Sequence, residues 1–299
     1  MNAPLPKHVL PSQALPGPEF PGVGLPGRVV LVGAGPGDVE LLTLKAARLI
    51  GAADWLVHDA LVHPDVLALA SRATRIAVGK RAGRRSTSQA EINRILIDCA
   101  RRGGLVIRLK GGDPLLFARA REELDAVRAA GVAVAVVPGI TTAQAAHAAL
   151  AVPMTERGRR RSIVFATPQV NAAERAAAAV DPAAPIDLQW ARALVNAGGG
   201  AVYMAATAAA RVRASLLALG MAADTPATWL IDVSLPTQTV IPTSVGRLQA
   251  LPPGIAGRPA LLLLGTAVDA PWGPPGRGPE RTANDTADVP AIVPAALAG

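Results

Sequence analysis

The chain has 299 residues, 51% of them hydrophobic and 17% charged, which is enough apolar material for one large domain or two small ones and excludes a disordered or fibrous protein. Thirty Lys and Arg against 22 Asp and Glu leave a formal charge of +8, yet aromatic residues make up only 3%, too few for the stacking platforms of a nucleic-acid binder. The single cysteine, Cys99, excludes a disulfide framework and a zinc site built on cysteine pairs, and it fits a reducing, cytoplasmic setting.

In chain order, residues 1–27 carry prolines at positions 4, 6, 11, 16, 18, 21 and 26 and read as a disordered arm rather than a signal peptide. From residue 28, short β-branched runs alternate with helical patterns: RVVLVG, ELLTLKAARLI, DWLVHD, PDVLALA, RIAVG, QAEINRILIDCARR and GLVIRLKGG. That alternation predicts βαβ units and a largely parallel sheet covered on both faces. Cys99 falls in the third helical pattern as a packed residue. The charge-free stretch from Ala129 to Thr155 is long enough to cross a bilayer, but Pro138-Gly139 splits it into a buried strand, VAVAVV, and a small-residue helix, so no membrane span is expected. After residue 156 the rhythm changes. SIVFAT, AVYMAA, ATWLIDV, TQTVIP and ALLLLG predict a second α/β domain with a mixed sheet. The expected organisation is an α/β fold with domains at 28–156 and 157–269 and a disordered tail over 270–299, which opens Pro271-Trp272-Gly273-Pro274-Pro275. Alanine-rich helices around 141–151 and 205–218 are small enough to pack closely on another helix, a dimer partner's included.

Three strand ends carry glycines. The first, Gly33-Ala34-Gly35-Pro36-Gly37-Asp38, lacks the third glycine of a dinucleotide fingerprint, because Asp38 stands there, and only Asp59 at the end of the second strand supports a ribose-binding reading. No Walker A motif exists, since Lys80 is followed by Arg81. The second is Lys110-Gly111-Gly112-Asp113-Pro114, and the third is Val136-Val137-Pro138-Gly139-Ile140-Thr141-Thr142. Glycine-bearing ends on one parallel sheet imply a shared ligand crevice, where backbone can approach a ligand closely. Arginines gather at 81, 84 and 85, at 119 and 121, and at 157, 159, 160 and 161. Two readings stay open for them: forks that hold a polyanion, or a solvated basic face enriched by codon bias. His8, His58, His63 and His147 have no metal-ligand spacing with carboxylates, so no metal is expected.

Taken together and in this order, GAGPGD, HDALV, VGKRAG, VIRLKGGDP, VVPGITTA and VYMA resemble the tetrapyrrole methylase superfamily over roughly residues 28–269. VGKRAG and RLKGGDP resemble its uroporphyrinogen-III C-methyltransferase branch. The resemblance implies a two-domain homodimer that binds S-adenosylmethionine (SAM) between its domains and methylates two ring carbons of uroporphyrinogen III, giving precorrin-2 for siroheme and cobalamin. Matched residue by residue, SAM contacts fall on Pro36, Gly111, Gly112, Asp113, Leu116, Thr141, Thr142, Met204 and Val233. Asp59 matches a proton acceptor, Lys80 a proton donor, and Arg119, Glu122 and Arg157 match positions that handle the tetrapyrrole. The chain departs from the family pattern at Ala60 (arginine in the family), at Ala118 and Ala120 (glycines), at Arg121, and at Glu156, Pro168, Gln169 and Ala205. Two readings follow: an active enzyme whose added arginines 121, 160 and 161 replace the missing one, or a divergent paralogue that binds SAM and acts on another tetrapyrrole or on none. An RNA ribose methyltransferase of the same fold would share the cofactor loops, but VGKRAG and RLKGGDP argue against it. A dehydrogenase would need the missing glycine, and a 27-residue arm is too short for the NAD module of fused family members.

Overall fold

The computed structural model describes residues 27–79, 87–158, 160–169, 188–265 and 293–294. Five parallel strands, β1 (Gly27–Gly33), β2 (Trp55–His58), β3 (Thr74–Ala77), β4 (Gly104–Lys110) and β5 (Ala133–Val137), form a first sheet in the order β3-β2-β4-β1-β5. Alternate residues of β1 enter opposite cores, as a period of two requires. Val30 and Val32 pack with Leu49, Ile50 and Ile107 on one face, while Val29 and Leu31 pack with Ile92, Leu96 and Val127 on the other. The covering helices are α1 (Leu44–Gly51), α2 (Pro64–Ala68), α3 (Gln89–Arg101) and α4 (Ala120–Ala129). Thr43 caps α1 by accepting from the Ala46 amide at 3.1 Å, and Ser88 caps α3 by accepting from Glu91 at 3.2 Å; such caps contribute about 1 kcal/mol each. The strand order changes direction at β1, between β4 and β5, so the loops leaving these three strands meet at one edge of the sheet, where open α/β folds bind ligands.

The second sheet runs β11-β9-β8-β10-β7-β6, with β6 (Val164–Ala166), β7 (Gly200–Tyr203), β8 (Pro226–Ile231), β9 (Thr239–Ser244), β10 (Ala260–Leu264) and β11 (Val293–Pro294). Only β6 and β7 are parallel, and the remaining pairs are antiparallel. One face packs on α6 (Gln189–Asn196) and α7 (Ala209–Ala218) through Leu194, Val212 and Leu216. The other face receives α5 (Thr142–Ala149), which follows β5 of the first sheet yet buries Ala143 and Ala146 against Ala201, Leu230, Leu261 and Leu263. Ala143, Ala145 and Ala146 thus serve a helix-on-sheet contact, while Ala148 and Ala149 are exposed.

Two boundaries differ from expectation. Gly27 already belongs to β1 through its pairing with Gly104, and a Cβ there would overlap the Ala100 carbonyl, so only glycine fits. Within 270–299, Val293–Pro294 pairs antiparallel with Thr239–Val240 of β9; the rest of that tail, and residues 1–26, lie outside the described residues. Ala129–Thr155 resolves into the end of α4, β5, a turn and α5, and no described helix is long and apolar enough to cross a membrane.

Candidate active site

The three glycine-bearing loops touch through backbone. Gly35 and Gly112 exchange amide hydrogen bonds at 3.2 and 2.7 Å. A Cβ on Gly33 would lie 2.6 Å from Gly139 and 2.7 Å from the Gly112 carbonyl oxygen, and one on Gly139 would overlap that same oxygen. Asp113 ties the loops together, accepting from the Leu115 amide at 2.8 Å and from the Gly139 amide at 3.1 Å. By contrast a Cβ at Gly112, where φ is +63°, would meet nothing closer than 3.9 Å, so the outer side of this turn is open. Pro36 and Leu116 are half-buried beside it.

The second sheet closes the crevice. The Asp38 amide donates to Ser234 Oγ at 3.1 Å, and a Cβ on Gly37 would lie 2.8 Å from the Leu235 side chain. Across from them, Tyr203 at the end of β7 places its hydroxyl 2.6 Å from Thr141 Oγ1 and accepts from the Ala143 amide at 3.1 Å. Its ring lies 5.2 Å from that of Phe117 and 6.1 Å from that of Phe165. Burial pushes the Tyr203 hydroxyl above the usual phenol range, opposed by its bonds to Thr141 and Ala143. Phe117, Arg119, Met204, Asp232 and Ser234 adopt φ between 48° and 70°, a left-handed conformation costly for residues with a Cβ. Met204 is 44% exposed, whereas Val233 is buried at 3% and packs in the core between α5 and the second sheet.

Charged groups line the neighbouring strand ends. Asp59 follows β2, its amide bonded to the Leu109 carbonyl, and its Oδ1 accepts from Arg108 Nη2 at 2.5 Å. Arg119, immediately before α4, grips Glu122 with two bonds of 2.8 and 2.7 Å. That bond lowers the Glu122 carboxyl and raises the Arg119 guanidinium from their ordinary values. Leu61 stands over Gly111, and Leu61, Leu115, Phe117 and Met204 are exposed apolar residues in these same segments.

The structure thus brings together Pro36, Gly111, Gly112, Asp113, Leu116, Thr141, Thr142, Met204 and Val233 on converging loops, with Asp59 after β2 and Arg119 and Glu122 at the start of α4. Arg157 is not part of this group. It is exposed on a turn closed by Glu156 and Arg160, and Arg160 Nη2 donates to the Gly265 carbonyl at the Gly200 end of β7, away from Met204. Lys80, Arg81, Arg84, Arg85 and Arg159 lie outside the described residues. Arg121 pairs with Asp125 at 2.5 Å on the exposed side of α4. Among the described residues no group of His, Cys, Asp and Glu could hold a metal ion. Sequence reasoning passed over Tyr203 and Arg108. The signal for Arg108 is an arginine inside the apolar run of a central strand, because a charge buried there must find a partner.

Comparison with known proteins agrees with this geometry. The family model for tetrapyrrole (corrin/porphyrin) methylases matches residues 28–249, and the chain belongs to that family. It is 40% identical over 244 residues to siroheme synthase 1 of Yersinia enterocolitica, covering 81% of this chain and 49% of that one. It is 41% identical to the siroheme synthase of Edwardsiella ictaluri over 81% and 50% of the two chains. The chain therefore spans about half the length of the curated relatives it matches. Among solved structures, the uroporphyrin-III C-methyltransferase of Thermus thermophilus, determined with S-adenosylhomocysteine, is 34% identical, with TM-score 0.65 over 81% of this chain and 98% of that one. A cobalt precorrin-4 methyltransferase at 24% identity and TM-score 0.65 shares the fold.

Proposed function

We propose that this chain is a SAM-dependent C-methyltransferase that converts uroporphyrinogen III to precorrin-2 in siroheme or cobalamin synthesis, acting as a cytoplasmic homodimer of two α/β domains, 28–156 and 157–269. The observation that carries the proposal is the open glycine turn at Gly111-Gly112, set between Pro36, Thr141 and Met204 and flanked by a strand-end carboxylate, Asp59. The Thermus relative, with its bound S-adenosylhomocysteine, supports the same cofactor here. A thioether-bearing nucleoside suits this set: backbone amides and carbonyls at Gly111, Gly112 and Asp113 for its polar edges, hydroxyls at Thr141 and Thr142, and the exposed Met204 for apolar contact.

SAM, when bound, supplies an activated sulfonium methyl. The protein's own part is alignment and water exclusion, since an electron-rich pyrrole carbon attacks in line. Loss of a proton from the methylated ring needs a base, and Asp59 has an oxygen, Oδ2, without a hydrogen-bond partner among the described residues. Arg119, paired with Glu122, offers a guanidinium to the substrate's eight carboxylates. Lys80 stays assigned as proton donor by its motif. Arg157 keeps only its family match, and its turn lies off the crevice.

Anaerobic incubation with uroporphyrinogen III and SAM, followed by mass spectrometry, tests the reading. The expected result is a dimethylated product from the wild type and a loss of roughly 100-fold in rate in Asp59→Ala. Binding of SAM with no methyl transfer would instead favour the divergent-paralogue reading.

A further inference from the structure

Behind Asp59 lies a buried charge cluster that the proposed chemistry leaves unused. Arg108, Lys110 and Glu123 are 1%, 3% and 0% exposed. Glu123 Oε1 accepts from Arg108 Nε and Nη2, both at 3.2 Å, from Lys110 Nζ at 2.8 Å and from Gln89 Nε2 at 3.2 Å. The same Arg108 Nη2 holds Asp59 Oδ1. Asp59, Arg108, Glu123 and Lys110 therefore alternate in sign and sum to zero. Glu123 directly follows Glu122, which turns outward to Arg119, and Asn93 of α3 donates to the Glu122 carbonyl at 3.3 Å. One internal carboxylate thus binds both the arginine behind Asp59 and the first turn of α4, which presents Arg119 and Glu122.

Stability alone accounts poorly for this arrangement. Buried ion clusters are commonly no more stable than apolar residues of the same volume, and here four donors crowd one oxygen while Glu123 Oε2 has no partner among the described residues. Burial and the neighbouring Arg108 also push the Lys110 ammonium below its usual range, a further cost of keeping it inside. A geometric use explains what stability does not: an arginine fork fixed from behind can hold a carboxylate in one orientation.

We propose that Arg108 and Glu123 are positioning residues for proton transfer. Arg108 fixes Oδ1 of Asp59 so that Oδ2 is the acceptor, and Glu123 fixes Arg108 while anchoring the turn that carries Arg119 and Glu122. The inference rests on the methyltransferase reading with Asp59 as base. It is tested in the full-length protein by measuring kcat and KM for uroporphyrinogen III and, by calorimetry, the affinity for S-adenosylhomocysteine. Arg108→Lys keeps the charge but cannot span Asp59 and Glu123 together. It should lower kcat roughly 10–100-fold, with KM and cofactor-product affinity within about twofold, because Arg108 is buried behind Asp59. In the Asp59→Asn background the same substitution should cost nothing further. Glu123→Gln repeats the test if Arg108→Lys does not fold. A folded variant with kcat within about twofold of wild type, or losses that multiply with those of Asp59→Asn, overturns the proposal. A wild type that binds S-adenosylhomocysteine but transfers no methyl overturns the underlying reading as well, and is recognised before any substitution is made.

Discussion

The two sides of the crevice are held by different physics. On the cofactor side, Gly33, Gly112 and Gly139 pack backbone against backbone, and the Asp113 side chain ties two of their loops. On the opposite side, Asp59 and the start of α4 are held by long charged side chains that meet inside the protein. Backbone packing tolerates no added atom but makes few demands on chemistry, whereas a charge cluster fails when one sign is lost or when a two-pronged donor is replaced by a point charge. The two sides should therefore break differently.

Gly139→Ala should have the largest effect. Its methyl would overlap the Gly112 carbonyl and force the loops apart, an overpacking cost on the order of 3 kcal/mol. Cofactor-product affinity should fall about 100-fold in calorimetry; an unchanged affinity would mean the three loops are not a rigid unit. Tyr203→Phe removes the hydroxyl between Thr141 and Ala143. At about 1 kcal/mol for such a bond, the affinity should drop roughly fivefold while KM for the tetrapyrrole holds, and equal losses in both would erase the distinction between the sides. Ala60→Arg tests the charged side. Position 60 is exposed beside Gly79, and a guanidinium there should lower the tetrapyrrole KM about threefold with cofactor affinity unchanged. A KM that does not move would show that no cation is missing.

The smallest effect is a slope with pH. Because burial raises the Tyr203 phenol, its contribution is complete below the unfolded pKa of about 10 and is lost as pH climbs through the higher folded value. Melting temperatures of wild type and Tyr203→Phe should differ by a constant amount from pH 7 to 9 and converge above pH 10. Curves that stay parallel to pH 11 would place the hydroxyl outside the packed interface.

The contrast also explains what was legible in the sequence. The parallel sheet, the mixed sheet and the glycine loops could be read because each depends on residues close together in the chain: β-branched runs, a glycine after a strand, a hydroxyl before a helix. The charged side could not be read that way. Arg108 and Glu123 are partners across a strand and a helix, and Asp59 joins them from 49 residues away. Nothing local announces which carboxylate a buried arginine will find. Nor does a run of arginines near the junction of the sheets say at which end of β7 the turn of Glu156 and Arg160 will lie.

The strand order of the first sheet also bears on how the protein is made. β1 is an apolar ribbon, Val29 to Val32, whose two neighbours are β4 and β5, and β5 ends only at Val137. At ribosomal speeds one edge of β1 waits for β4, which ends at Lys110, and the other waits on the order of 5–20 s for β5. An unpaired edge of that composition is a template for strands of other chains. A strand that ends up inside the sheet is thus, during synthesis, an exposed aggregation hazard, and the length of that exposure follows from topology rather than from composition.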